Sequence, residues 1–173
     1  IEGRVKGQTL VYIYDTFFPG MAKEQAEITE RLNRFEQEMS FDFIPGVLDF
    51  IADLHRNGVK TAVVTSSNEA KMAAVYRVHP EIKTLFDRIL TAEMFTASKP
   101  APDCFLLGME VFGTTPDTTY VFEDSFNGIQ SGKDAGMRVI GLSTTNPAES
   151  LRDKVYEVIP NFEKVTFEDY LRW

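Results

Sequence analysis

Residues 119–142 read TYVFEDSFNGIQSGKDAGMRVIGL. Thr119–Glu123 is a short β-branched and aromatic run that ends on two adjacent acids, Glu123 and Asp124, the signature of a buried strand meeting a polar turn. The stretch that follows bears Ile129 and closes at Gly136, as a helix does before its terminal glycine. Arg138–Leu142 is apolar again. A strand, a helix of about ten residues and a second strand predict a right-handed βαβ crossover with parallel strands.

The same alternation extends upstream. Lys60–Thr65 is a β-branched run that gives way to Ser66, Ser67 and Asn68, and Arg88–Ala92 is another strand candidate. Helical spacing places Val47, Leu48, Phe50, Ile51 and Leu54 on one face of Gly46–Asn57, and Met72, Ala73, Val75 and Tyr76 on one face of Asn68–Val78. Pro80 restarts a short helical turn toward Leu85 and Phe86. Pro102, where a missing N–H does no harm, opens a helix with Phe105, Leu106, Met109 and Phe112 on its apolar side. From residue 46 onward the chain is therefore α/β. Earlier, Met21–Ser40 carries Ala26, Ile28, Leu32, Phe35 and Met39 near helical spacing, whereas the period of residues 9–18 (TLVYIYDTFF) decides nothing.

With 173 residues, 43% of them hydrophobic and 25% charged, the chain has the length and composition of one globular domain with a small appendage. No apolar run reaches the roughly 20 residues of a membrane span, and no secretory signal opens the sequence. The net charge of −8 argues against a polyanionic nucleic-acid backbone as partner, without forbidding a small phosphorylated ligand. The single cysteine, Cys104, excludes an intrachain disulfide and a cysteine-built zinc site. A reducing cytoplasm and a monomer are the expected setting.

Three polar clusters fall at expected strand ends, where open parallel sheets bind ligands. Thr65-Ser66-Ser67-Asn68 runs into a helix N-terminus, which suits an anion; the alternative is that Ser67 or Asn68 merely caps that helix. Lys99, in Ser98-Lys99-Pro100-Ala101-Pro102-Asp103, precedes a helix whose dipole a cation opposes. That placement suits neutralisation of a phosphate or a carboxylate, the alternative being a solvated loop lysine. Glu123 and Asp124 repel one another unless a hard cation such as Mg²⁺ relieves them, the alternative being an exposed acidic turn.

Together these clusters resemble the haloacid dehalogenase-like hydrolase superfamily, in the subgroup typified by β-phosphoglucomutase and small sugar-phosphate phosphatases. Thr65 is similar to the family's second motif, Lys99 in KPAPDCF to its third, and Glu123 and Asp124 in FEDSFNGIQSGKDAGM to its magnesium-binding fourth. PGVLDFIADLHRNGVKTAVVTSS and RVIGLSTT fit as well, so the likeness spans about residues 42 to 145. It implies a three-layer Rossmann-like parallel sheet (residues 43–173) beneath a partial helical cap (residues 1–42). It also implies phosphoryl transfer through an aspartyl phosphate, with Mg²⁺ as cofactor and a small phosphorylated metabolite, a sugar phosphate in this subgroup, as substrate. Thr65, Ser66, Ser67 and Asn68 would cradle the phosphate and Lys99 would balance charge. A phosphoglucomutase-like isomerase and a noncatalytic anion- or metal-binding module are the alternatives.

The resemblance also defines a gap. The family's first motif, a strand ending Asp-x-Asp, has no counterpart in these residues, and Asp15 in LVYIYDTF is the nearest substitute. The preferred reading makes residues 1–7 (IEGRVKG) similar to the substrate-facing loop of the cap, with Arg4 and Lys6 toward the site and residues 9–18 as a cap helix. The nucleophile's strand then lies upstream. That strand sits, in the family, between those carrying the second and fourth motifs, so two ladders of backbone groups are expected to lack partners. Arg34 is a weaker cap candidate; His55 and His79 read as surface residues, and Cys104 and Met109 as core.

Overall fold

The computed structural model describes Val5 and residues 7–173. From residue 7 onward the helices α1 (Leu10–Phe17) and α2 (Ala22–Glu38) are followed by α3 (Val47–Arg56), β1 (Ala62–Val64), α4 (Glu69–Val78), α5 (Ile82–Leu85) and β2 (Arg88–Leu90). The second half comprises α6 (Asp103–Phe112), β3 (Tyr120–Glu123), α7 (Phe126–Asp134), β4 (Arg138–Leu142), α8 (Ala148–Leu151), β5 (Glu157–Ile159) and α9 (Phe167–Arg172). All ladders are parallel, so the expected α/β fold with helices as crossovers is what forms.

Residue type explains the layers. In β3 and β4, Val121 and Val139 face a core with Phe105, Ile129 and Leu151, while Tyr120, Phe122, Ile140 and Leu142 face another with Phe50, Leu54 and Phe162. This alternation of apolar residues on both faces is what a parallel sheet sandwiched between helices requires. Trp173 closes the second core at 5% exposure, with Phe50 and Phe162 stacked 5.3 Å apart.

The sheet is split. β1 pairs with β2, and β3 pairs with β4, which pairs with β5; among the described residues no strand joins β1 to β3. A cavity of about 540 Å³ lies between them, walled by Ala62 and Val64 of β1 and Val121 and Glu123 of β3, with Phe50 of α3 and Phe105 of α6 on its two faces. A strand residue in a covered sheet takes about 3.3 Å along the strand, 4.8 Å across the ladder and 10 Å through the layers, roughly 160 Å³. The cavity thus has room for about three to four residues of extended chain. The two unpartnered ladders expected from the sequence are found here.

The helices α4 and α6 each differ from expectation at one position, Ala73 in α4 and Leu106 in α6. In α4, Ala74 is buried and Ala73 exposed; in α6, Cys104 and Phe105 are buried while Leu106 is exposed. Residues 10–17, ambiguous by period, are helical because Thr9 caps them: its hydroxyl accepts from the Tyr12 amide. Asp15 stands exposed on this helix, remote in kind from a strand-end nucleophile. Among the described residues, no helix is long and apolar enough to cross a membrane.

Candidate active site

The site is built at the carboxyl ends of β1 and β3, and Lys99 joins them. Its ammonium donates to the carbonyl of Val64, the last residue of β1, at 3.3 Å and to a carboxylate oxygen of Glu123, the last residue of β3. Only 4% of Lys99 is exposed, and its Nζ lies 4.8 Å from the centre of the Phe105 ring. Lys99 is therefore not a solvated loop lysine: a buried cation spans the mouth of the split sheet.

Glu123 is held on both oxygens. One takes Lys99; the other accepts from the Asp124 amide at 3.2 Å, the Ser125 amide at 3.4 Å and the Ser125 hydroxyl at 3.1 Å. Its carboxylate lies so close to the backbone of α7 that a Cβ on Gly128 would overlap it. Ser125 also caps α7, accepting from the Gly128 amide at 3.0 Å. The Ser-Phe-Asn-Gly turn therefore exists to bring a helix start against a carboxylate.

Asp124 projects from the same turn. Its Oδ2 accepts from the hydroxyls of Thr145 and Thr144, and the Asn146 side-chain amide donates to its carbonyl at 2.7 Å. Sequence reading missed this support, although a signal was present: the loop after β4 must lie beside the loop after β3, because these strands pair in parallel register. Mg²⁺ takes one or two carboxylates and fills its remaining positions with water and phosphate oxygens. The Asp124 carboxylate, oriented by hydroxyls and partly exposed, fits that donor chemistry, with Glu123 beside it. Among the described residues there is no larger cluster of acidic, histidine or cysteine ligands.

Thr65 extends β1: its amide donates to Leu90 at 3.0 Å, and its hydroxyl accepts from the Ser67 amide at 3.0 Å. It adjoins Val64 and so stands beside Lys99. Asn68 caps α4, its side chain accepting from Lys71 at 2.9 Å, which is the capping alternative for this residue. The Ser66 hydroxyl donates to the Gly7 carbonyl at 2.7 Å. Arg4 and Lys6 lie outside the described residues. Arg34 pairs with Glu30 on the exposed face of α2.

Thr65, Lys99 and the two acids are thus brought together, with the open edges of β1 and β3 between them. Comparisons with known proteins bear on the family and the fold. A family profile described as "Haloacid dehalogenase-like hydrolase" matches residues 3–142. Hexitol phosphatase A of Escherichia coli is 29% identical over 83% of this chain and 68% of its own length. A beta-phosphoglucomutase of Mycobacterium tuberculosis is 30% identical over 75% of this chain and 49% of its own. The crystal structure of a family IA, variant 3 hydrolase from Entamoeba histolytica superposes with a TM-score of 0.82 at 22% identity, over 98% of this chain and 80% of that one. The chain spans about half the length of most curated relatives it matches, from 13% of one to 68% of another.

Proposed function

We propose a function for this chain on one premise: it belongs to the haloacid dehalogenase-like hydrolase family. The geometry supports a Mg²⁺-dependent phosphatase for a small phosphorylated metabolite, with a sugar or sugar-alcohol phosphate favoured by the likeness to hexitol phosphatase A. The observation that carries this reading is the bridge of Lys99 between the ends of β1 and β3, beside Thr65 and the two acids.

On this reading the nucleophile is an aspartate at the end of a strand that fills the cavity between β1 and β3, where the Lys99 ammonium would face it. Attack of that carboxylate on phosphorus breaks the P–O ester bond, leaving an aspartyl phosphate and an oxyanion that takes up a proton to depart as the alcohol; water then cleaves the aspartyl phosphate to inorganic phosphate and the free carboxylate. Lys99 offsets the negative charge of the carboxylate and the transferring group in a water-poor setting, where such stabilisation is strongest. The Thr65 hydroxyl, which accepts from the Ser67 amide, would donate its proton to a phosphoryl oxygen. Asp124 would hold Mg²⁺, which supplies neutralisation of the phosphoryl oxygens when bound. The helices α1 and α2 form the partial cap over this edge.

The test is phosphate release by the natural full-length protein from a panel of hexose, hexitol and pentose phosphates. Release that needs Mg²⁺ and falls by at least about 10³-fold in Lys99→Met supports the reading. Isomerised sugar with no net phosphate would favour the mutase alternative, to which a beta-phosphoglucomutase relative points. Lys99→Met turnover within tenfold of the parent would refute the role given to the lysine.

A further inference from the structure

One turn, the one that follows β4, grips Asp124 at both of its ends. The hydroxyls of Thr145 and, at 3.4 Å, Thr144 donate to Oδ2, and the Asn146 side-chain amide donates to the Asp124 carbonyl at 2.7 Å. The turn is rigidly mounted. β4 enters it through the buried Ile140 and Leu142, and the Ser143 amide continues the ladder to Ile159 of β5 at 3.0 Å. On the far side α8 carries Leu151, which is fully buried. Glu123 differs: Lys99 engages one of its oxygens, and donors from Asp124 and Ser125 engage the other. Of the two acids, Asp124 is the one whose described hydrogen bonds fall on a single oxygen.

We propose that this turn, through Thr145 above all, is the positioning element that makes Asp124 a one-oxygen ligand and so selects Mg²⁺ over Ca²⁺. The inference rests on the Mg²⁺-dependent reading of the site and adds to it the residue that sets which ion is held. The reason is coordination demand. Mg²⁺ requires near-octahedral geometry at about 2.0–2.1 Å and keeps several of its waters. Ca²⁺ accepts roughly six to eight oxygens at about 2.3–2.6 Å in flexible arrangements, and takes carboxylates with one oxygen or both. Two hydroxyls donating to Oδ2 occupy lone pairs that a doubly bound ion needs, and they stop the carboxylate from turning about its Cβ–Cγ bond. Thr145 is half-buried whereas Thr144 is exposed, so Thr145 competes with less water and carries the larger share. Loss of its hydroxyl deprives Mg²⁺ of a preset oxygen and opens a second oxygen to Ca²⁺.

The test is isothermal titration calorimetry of Mg²⁺ and of Ca²⁺ into the natural full-length protein, without substrate. Thr145→Val keeps the shape and removes the donor. It should weaken Mg²⁺ binding about 10- to 100-fold, the usual cost of losing a partner that orients a metal ligand. Ca²⁺ binding should hold or tighten, so that the ratio of Mg²⁺ to Ca²⁺ affinity falls by at least about tenfold. Thr145→Ser, which retains the hydroxyl, should keep that ratio within about threefold of the parent. A Thr145→Val ratio within about twofold of the parent would overturn the proposal, even if both affinities fell, because a turn that only supports the fold weakens both ions alike. Thr144→Val alters an exposed position and leaves the interior intact. It should lower the ratio by less, and an unchanged ratio there would overturn the proposal if Thr145→Val does not fold. Absence of Mg²⁺ binding by the parent would refute the Mg²⁺ reading and this inference with it, an outcome distinct from an unshifted ratio in a parent that binds the ion.

Discussion

Replacing Lys99 by Met should cost the fold about 3–5 kcal/mol, the usual penalty for removing one member of a buried ion pair. The structure sets this expectation high in the range of single substitutions. The Lys99 side chain is 5% exposed and that of Glu123 11%, so neither charge can turn to solvent without opening the loops around it. Without the ammonium, Glu123 keeps three donors from Asp124 and Ser125 on one oxygen, but the other oxygen and the Val64 carbonyl lose their shared partner. Methionine would retain most of the aliphatic packing against Phe105, so the loss is electrostatic rather than volumetric. With a urea slope of about 2 kcal/mol/M, the unfolding midpoint should fall by roughly 2 M. Glu123→Gln should fall too, and the double variant Lys99→Met/Glu123→Gln should lose clearly less than the sum of the two, because the uncompensated charge is gone. A loss below about 1 kcal/mol in Lys99→Met, or strict additivity in the double variant, would refute the bridging role assigned to this lysine.

Three further outcomes follow from single contacts. Gly128→Ala places a methyl group into the Glu123 carboxylate, and should cost about 1–3 kcal/mol in urea unfolding despite the better helix propensity of alanine; an unchanged midpoint would show that the turn yields freely. Cys104 is fully buried, and burial pushes its thiol above the ordinary value, so a disulfide reagent at pH 8 should modify the native chain on the order of 10³-fold more slowly than the urea-unfolded one. Asp87 is held below the usual carboxylate range by the hydrogen bond from Lys60, with the Thr61 amide assisting. Its contribution to stability is therefore present above the unfolded value of about 3.9 and is lost as pH falls through the lower folded value. The stability gap between the parent and Asp87→Asn, measured by thermal melts, should be open at pH 6 and narrow at pH 3; an equal gap at both would contradict this.

What was legible in the sequence had a local cause. Arg138–Leu142 occurs as the strand β4 with the expected bounds, because a buried parallel strand must be an unbroken apolar run and Gly136 marks where the preceding helix stops. Thr65, Lys99 and Glu123/Asp124 were legible through resemblance, each at a strand end or helix start. In α6 only Leu106 departs from its expected place: it is exposed, while Cys104, expected in the core, is buried against Ser131 of α7. The holding of Asp124 by Thr144, Thr145 and Asn146 needed strand register, which no local pattern encodes. The contacts made by Gly7–Thr9 join groups about sixty to ninety positions apart, which no local pattern encodes.

The split sheet links folding to chemistry. The open edges of β1 and β3 present backbone donors and acceptors to an apolar cavity, where unpaired groups are costly. An extended segment entering there would pair both ladders at once, each hydrogen bond contributing about 0.5–1.5 kcal/mol, and would bury the side chains now lining the gap. β1 and β3 both end at Lys99, so a segment that pairs in parallel with the two of them brings its carboxyl end out beside Thr65, Lys99 and Glu123. Any acidic residue at that end is therefore delivered to the ammonium by the same pairing that completes the sheet. The position of a nucleophile in such a protein is then a consequence of strand register, and a slip of one residue would turn its side chain to the other face, away from Lys99.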